Sequence, residues 1–382
     1  RVAWRFAVAL LAAASPILIT DALGFTASGE VIALMLRLDY IIGISVAAVL
    51  IGMFLSRGRN ANRPNTGKVQ TYGNTDRFAH MVAFSGPWFH HASAAVDDFA
   101  FRNRVKDFKV GPPIFVTSLA RGGTTTVLNA LSEIDGLATH RYSDMPFISA
   151  PFLWNGLGSM SSRKVGSVER AHGDGLKIKL DSPEAFDEIF WKLFWPEKYK
   201  NGKIQLWKST DTRADAHKFF SRHFKKICHL RRAPFQTDRP ALPRYLSKNN
   251  ANIARLQLLP EYFPGCSIVV PVRHPAAHAS SLLRQHKNFL KLQKEDDFVR
   301  RYMRDIGHLE FGLLHQPIDF PLQSLESYSI DQPDYWLAYW IAAFRDVLNH
   351  GDKCHILLQD DLRARPNDVL SALAEHLCLG SD

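Results

Sequence analysis

The sequence predicts an α/β protein, a doubly wound parallel sheet carrying a P-loop-like anion loop and preceded by an N-terminal helical membrane hairpin. Three observations point there. Short apolar runs at 113–118, 137–140, 204–208, 227–230, 267–272 and 355–359 alternate with helix-length amphipathic stretches. That is the pattern of parallel strands joined by crossover helices, with a ligand crevice at the strands' carboxyl ends. The first run leads directly into a loop of glycines and threonines, and two longer apolar runs lie ahead of it in the first 57 residues.

Taken in chain order, residues 1–57 read as the hairpin. Val2 to Thr20 is apolar apart from Arg5, and Tyr40 to Leu55 is uninterrupted, reaching back to Val31 only by including Arg37 and Asp39. A membrane span needs about twenty mostly apolar residues. Arg1 and Arg5 flank one outer end and Arg57, Arg59 and Arg63 the other, while Asp21 and Glu30 lie between the runs, so both ends face the cytoplasm by the positive-inside rule. The rival readings are one span with an interfacial helix, a soluble helical appendage, and a signal peptide cleaved near Ala12-Ala13-Ala14, which leaves the second run unexplained. Arg1 rather than Met stands first, which leaves room for residues ahead of it.

Residues 58–110 form the connection. Gly58 to Thr75 is rich in Asn, Arg, Gly and Thr and reads as a polar linker, and Asp76 to Phe108 carries short amphipathic segments. Residues 111–382 form the main α/β domain. In Pro112 to Leu128 a buried strand runs through Ser118-Leu119-Ala120-Arg121-Gly122-Gly123 into Thr124-Thr125-Thr126 and a helix. Consecutive N–H groups at a helix N-terminus attract anions, and paired glycines allow close approach. Aligned on Gly123, the ATP-binding pattern G-x-x-x-x-G-K-[ST] puts Ser118 at its first glycine and Thr124 at its lysine, so the cation that would meet the β/γ-phosphates is missing. Arg121 stands on the other side of the glycines instead.

This loop resembles the 5′-phosphosulfate loop of the PAPS-dependent sulfotransferases, P-[RK]-[ST]-G-T-[ST], with Arg121 at the basic position, Gly123 at the glycine and Thr124-Thr125 at the hydroxyl pair. Ala120 and Gly122 depart from the pattern. A second stretch, Cys266 to Pro275 followed by Ala276 to Leu283, resembles the family's 3′-phosphate element, R-x-P with a serine at fixed spacing, on Arg273 and Ser281. A guanidinium and a helix hydroxyl can grip a terminal phosphate together. Tyr245 to Asn250 is similar to the K-[SN]-[PN] strand end ahead of that element. The ending His355 to Pro366 resembles "strand, Y-E-D-L, Pro, helix", with Gln359 and Asp360 replacing the Tyr and Glu. The matches span about 111 to 380, and no counterpart of the R-K-G-x-x-G motif of cytosolic animal enzymes is present.

The resemblance, which is to bacterial sulfotransferases, implies transfer of the sulfuryl group of PAPS to a hydroxyl, or an amine, with no metal required. It implies donor contacts from Arg121, Gly122, Gly123, Thr124, Thr125, Thr126, Arg273 and Ser281, with Arg121 stabilising charge on the departing bisphosphate. The base belongs after the second strand, where Thr139 to Phe147 resembles the "[KR]-E-x-x-F" stretch of Golgi-type enzymes. Asp144 is the counterpart of its Glu, and His140 competes because imidazole titrates near neutrality. Lys208 and Lys248 at strand ends are further candidates to face the sulfonate or the acceptor. The membrane hairpin makes a membrane glycolipid or lipid-linked saccharide the expected acceptor, at the cytoplasmic face of the inner membrane.

Composition frames these expectations. The chain of 382 residues is 46% hydrophobic, which excludes dominant disorder, and its net charge of +10 suits an acidic nucleotide or an anionic membrane. No zinc knuckle, RNA-recognition core or arginine-rich tract supports nucleic-acid binding. Four scattered cysteines read as buried free thiols. His274 and His278 have zinc-like spacing without a third ligand, His90-His91 suit a surface turn after Pro87, and Phe190, Trp191, Phe194 and Trp195 read as helix-spaced core or acceptor-pocket wall. An ATP-using P-loop phosphotransferase and a catalytically inactive membrane-anchored nucleotide-binding scaffold remain as alternatives.

Overall fold

The structure is a computed structural model and describes residues 74–158, 168–169, 177–178, 182–184, 186–231, 242–321 and 325–379. The expected membrane hairpin, 1–57, and the polar linker to residue 73 lie outside these. Among the described residues no helix is long and apolar enough to cross a membrane. Two compact units divide the chain, Arg1–Asp107 with Asp144–Glu169, and Phe108–Ser143 with Arg170–Asp382.

In chain order the main elements are helices α1 (Asn74–Ala83) and α2 (Pro87–Val105), strand β1 (Gly111–Val116), α3 (Thr124–Ser132), β2 (Leu137–Ala138), α4 (Pro151–Gly158), α5 (Glu188–Phe194), α6 (Ala214–Arg231), β3 (Arg244–Lys248), α7 (Leu258–Tyr262), β4 (Ser267–Val272), α8 (Pro275–Glu295), α9 (Asp297–Ile306), α10 (Pro333–Asn349), β5 (His355–Leu358), α11 (Gln359–Ala364) and α12 (Pro366–His376).

The smaller unit holds α1, α2 and α4. Pro87 at the start of α2 has no N–H to leave unsatisfied and sets φ for a helix. One face of α2 buries Phe89, His90, Ala94 and Asp97. Its two polar members are satisfied: His90 Nδ1 lies 2.7 Å from Ser149 Oγ, and Asp97 accepts the Leu153 N–H at 2.8 Å. His90 is thus a buried helix residue and not part of a surface turn, while His91 is exposed. The opposite face of α2 shows Trp88, His91, Ala95, Phe99 and Arg102 to solvent, a stripe at helical spacing.

The larger unit is built on a five-stranded sheet of order β2-β3-β1-β4-β5, parallel throughout. The chain lays β2 and β3 on one side of β1, then crosses to place β4 and β5 on the other. The order therefore reverses between β1 and β4, which opens a crevice at their carboxyl ends. Alternate side chains face opposite layers. Ile114, Val116, Leu246, Val269 and Leu357 pack with Val127, Leu128 and Leu131 of α3 and with Leu362, Leu373 and Leu377 near the C-terminus. On the other face Phe115 meets Phe263 at 5.4 Å between ring centroids, and Tyr245 stacks on Phe224 of α6 at 4.1 Å.

Strands 113–118, 267–272 and 355–359 are present with small shifts, and 137–140 shrinks to two residues. Two expected strands are not strands. Residues 227–230 lie inside α6, whose buried positions Phe220, Phe224, Ile227 and Cys228 fall at helical spacing. A four-residue apolar run cannot distinguish the two periods. In 204–208 only Ile204 bridges to another chain segment, Ile318, while Trp207 is buried in an aromatic cluster. Lys208 consequently sits exposed in a turn closed by Asp211, not at a strand end. β1 pairs on one side with β4 and on the other with β3, which ends on Lys248.

A buried ion pair locks the turn after β3. Arg255, fully buried, makes a two-pronged contact with Glu188 of α5, Nη1 to Oε2 and Nη2 to Oε1, each at 3.0 Å. Its guanidinium lies between the indoles of Trp191 and Trp207, 4.5 and 4.2 Å from their ring centroids. Replacing Arg255 by Met should cost about 3 to 5 kcal/mol, because Glu188 is left as a buried charge without its cation. Denaturant unfolding of the two proteins measures this. A change below about 1 kcal/mol, the range of exposed pairs, would show that the pair is dispensable.

Candidate functional site

The crevice gathers three chain segments that leave adjacent parallel strands: Thr117–Gly123 after β1, Arg273 after β4 and Gln359 after β5. Val272 is the register partner of Leu358, so Arg273 and Gln359 emerge side by side. The β1 loop is tightly folded. Arg121 and Gly123 both have left-handed φ values, 68° and 100°, the backbone shape in which successive N–H groups form a concave anion nest. A Cβ on Gly122 would lie 2.5 Å from Ser118 Oγ and 2.9 Å from the Leu119 carbonyl, and one on Gly123 2.9 Å from Gln359 Nε2. Gly122 therefore requires glycine on contact grounds, against the Leu119 backbone, and Gly123 by its backbone angle.

The expected donor residues converge. Arg121 Nε lies 3.5 Å from Ser281 Oγ of α8, and Arg273 Nη1 donates to the Arg121 carbonyl at 3.5 Å. Thr124 is buried at the start of α3, Thr125 is half-buried and Thr126 exposed. Two further cations, Arg284 and Arg363, belong to the cluster: burial first, and then the charges of Arg363, Arg121 and Arg284, lower the Arg273 pKa, with Asp360 partly opposing them. Arg284 follows Ser281 by three residues on α8 and Arg363 follows Gln359 by four on α11, spacings that keep each on its partner's helix face. Three buried polar atoms here have no hydrogen-bond partner, Ser118 Oγ, Arg273 Nε and Gln359 Oε1. Buried polar groups are rarely left so. An anion-bearing ligand with hydrogen-bonding oxygens fits this arrangement of orphaned atoms, glycine-lined backbone and clustered guanidinium groups.

The loop's far end is held by the β3 turn. Asn250 accepts the Thr124 hydroxyl at 3.1 Å and donates to Glu310 at 3.0 Å, and its carbonyl accepts the Thr117 hydroxyl at 3.2 Å. Burial acts to raise the Glu310 pKa, but His308 and Asn250 outweigh it and hold the carboxyl at about 2. Asn249, one residue earlier, donates to Glu188 and so ties this turn to the Arg255 ion pair. Leu119 and Ala120 also line an apolar cavity with Phe311, Trp336 and Tyr339.

The two candidate bases have different surroundings. Asp144 ends a short 3-10 turn, Tyr142–Asp144, is buried, and belongs to the smaller unit. His140, in the larger unit, is almost fully buried, with its Nε2 2.8 Å from His223 Nε2 of α6. His223 Nδ1 is buried without a partner, so the less costly tautomer leaves that nitrogen unprotonated and has His223 Nε2–H donate to His140. The His140 Nε2 lone pair is then already engaged. Lys248, at the end of β3, lies 3.8 Å from the buried carboxylate of Glu184, which also accepts the Tyr142 hydroxyl. His278 does not pair with His274 as a metal site would require; it bonds the Ala120 carbonyl of the loop.

No protein-family model matches the chain, and no curated protein matches it. Among solved structures it is similar to the sulfotransferase STF1 of Mycobacterium tuberculosis H37Rv, with 14% identity over 87% of this chain and 83% of that one and a TM-score of 0.46. Sulfotransferase STF9 of Mycobacterium avium gives 12% identity over 86% and 82%, with a TM-score of 0.37. The sulfotransferase domain from the curacin biosynthetic pathway gives 14% over 72% and 76%, with a TM-score of 0.32.

The resemblance to PAPS-dependent enzymes implies that replacing Arg273 by Ala weakens binding of adenosine 3′,5′-bisphosphate by about 2 to 3 kcal/mol, the loss of one or two charge-assisted hydrogen bonds. Calorimetric titration checks this, and equal affinity of the two proteins would remove Arg273 from the anion site.

Proposed function

We propose that this chain is a sulfotransferase that moves the sulfuryl group of PAPS to a hydroxyl, or an amine, of a membrane-held acceptor, a glycolipid or lipid-linked saccharide. The observation that carries the reading is the meeting of Arg121, Ser281 and Arg273 around a glycine loop with a threonine where an ATP-binding loop has lysine. In this reading the N–H groups of Gly123 to Thr126 and the Thr125 and Thr126 hydroxyls hold the 5′ end of the donor, while the Gly122 N–H and the Thr124 hydroxyl, which donate to the Leu119 carbonyl and to Asn250, keep the loop in shape. Arg273 and Ser281, with Arg284 and Arg363 behind them, hold its 3′-phosphate. When bound, PAPS supplies an activated sulfuryl group, whose bond to the 5′-phosphate breaks as the bond to the acceptor oxygen forms. Arg121 neutralises charge developing on the departing phosphate oxygen, the kind of interaction that strengthens in the transition state. Asp144 takes the acceptor proton; His140 is the second candidate, and its contact with His223 has to open first.

Two features support the membrane half. The sequence ahead of residue 58 has the apolar runs and flanking arginines described above. Within the described residues, α2 exposes Trp88 and Phe99, with Arg102 at the end of the stripe, and α1 exposes Phe78 and Met81. Aromatic side chains beside cations suit a bilayer interface. A tether at the cytoplasmic face gives a lipid-linked hydroxyl a high local concentration, an advantage that a freely diffusing acceptor does not share.

Transfer of labelled sulfate from PAPS to membrane lipid extracts tests the reaction. Thermal stabilisation by ATP with Mg²⁺ but not by adenosine 3′,5′-bisphosphate would instead favour a phosphotransferase, and bisphosphate binding without turnover a scaffold. Arg121→Ala should depress kcat more than it raises the donor KM, whereas a pure KM effect would reduce Arg121 to a binding residue. A chain starting at Pro64 should retain bisphosphate binding and turn over detergent-dispersed acceptor, yet lose activity on acceptor embedded in vesicles. Unchanged activity on vesicles would overturn the membrane half alone.

A further inference from the structure

An anion loop works only if its carbonyl oxygens are turned away from the ligand and kept there, because each peptide plane carries its C=O and N–H in opposite directions. His278 performs this for one peptide of the β1 loop. Its Nε2 lies 2.8 Å from the Ala120 carbonyl, and its Nδ1 receives the Trp340 indole N–H at 3.1 Å. A carbonyl can only accept and an indole N–H can only donate, so the imidazole is neutral and carries its proton on Nε2. The ring is fully buried, and its Cε1 lies 3.1 Å from where a Cβ on Gly122 would be, directly against the loop. Burial, together with the charges of Arg273 and Arg121, brings its pKa down to about 4 despite the bond to Ala120, which keeps it neutral across the physiological range. Arg121, the next residue, has the left-handed φ of 68°, a backbone state that costs a non-glycine residue on the order of 1 kcal/mol or more unless its surroundings impose it.

We propose that His278, oriented by Trp340, is a positioning residue that sets the Ala120–Arg121 peptide of the loop in its anion-binding orientation. With the Ala120 oxygen drawn onto Nε2, the Arg121 N–H is directed the opposite way, and Arg121 enters the left-handed state that brings its guanidinium to Ser281. The Arg273 bond to the Arg121 carbonyl fixes the following peptide in the same manner. His278 lies on α8 between Arg273 and Ser281 in sequence, so a single helix start supplies the two 3′-phosphate contacts and the support of the 5′ loop. This inference rests on the donor reading above and concerns the loop's shape rather than the donor's identity.

The test is calorimetric titration of the full-length chain with adenosine 3′,5′-bisphosphate, alongside steady-state kinetics, for His278→Leu, His278→Gln, His278→Asn and Trp340→Phe. Gln carries an amide N–H to the position of Nε2, whereas Asn is too short to reach it. Leu and Asn should weaken the bisphosphate by about tenfold or more, the equivalent of one lost hydrogen bond of about 1.4 kcal/mol, and Gln should stay within about threefold of wild type. Trp340→Phe should fall between them. The donor KM should rise with the loss of binding while the acceptor KM is unchanged, a split that general loosening of the fold would not give. Equal affinities for Gln, Asn and Leu would overturn the inference, whether all match wild type or all are equally weak. If Leu fails to fold, the Gln and Asn pair decides it. Failure of wild type to bind the bisphosphate removes the donor reading and this inference with it, whereas wild-type binding with no Gln–Asn difference removes this inference alone.

Discussion

The paired contact of Arg255 with Glu188 is the constraint on which the site depends. Buried charges are tolerated only when their geometry and remaining hydrogen bonds are nearly complete, and here both nitrogens of the guanidinium fork meet both carboxylate oxygens between two indole faces. Glu188 also accepts from Asn249, and Asn249 caps the turn that follows by accepting the Ala251 N–H. Asn250 is thereby placed where it can receive hydroxyls from both ends of the β1 loop, Thr117 and Thr124. Order is thus passed from a dry aromatic core to a polar loop through a few short, satisfied hydrogen bonds. Within the loop itself, Leu119 and Ala120 add apolar burial to these bonds.

The opposite wall of the crevice is dominated by positive charge, which Asp360 opposes in part. Arg273 stands among Arg121, Arg284 and Arg363, and these neighbours make its own protonated form less favourable. The backbone geometry that brings them together comes from β1, β4 and β5 lying side by side, so sheet topology sets the local field. Such a concentration of like charge raises the free energy of the ligand-free protein and focuses anions into the crevice. Backbone N–H groups aimed from the loop add a partial positive potential that needs no counter-ion of its own.

Much of this was legible in the sequence, and the misses have identifiable physical causes. β1, β4 and β5 are continuous apolar runs closed by a turn or a helix start, and the local spacing of Arg273 to Ser281 needs only one helix to be interpreted. β3 was recognisable only at its Lys248-Asn249 end, because a buried strand reading Arg-Tyr-Leu-Ser-Lys does not look buried. Its Tyr245 and Ser247 are accommodated by donating to Asp187, whose position no local pattern reveals. The helical identity of 227–230 was visible only over a longer window that includes Phe220 and Phe224. His140 looked like an available imidazole because its partner, His223, is 83 residues away in the chain. Arg363 and Arg284 reach the cluster through strand pairing and helix phase, neither of which a motif encodes.

The four guanidinium groups also bear on what happens after chemistry. In the reaction proposed, the by-product keeps both phosphates on which they act and loses only the group that leaves. Nothing in the cluster distinguishes a spent nucleotide from a fresh one, so attraction that speeds capture also slows departure. Catalytic tempo would then be governed by product release, as in many enzymes whose chemistry is fast. Arg284 and Arg363, exposed at the margin of the cluster, are where small changes in affinity would translate most directly into turnover.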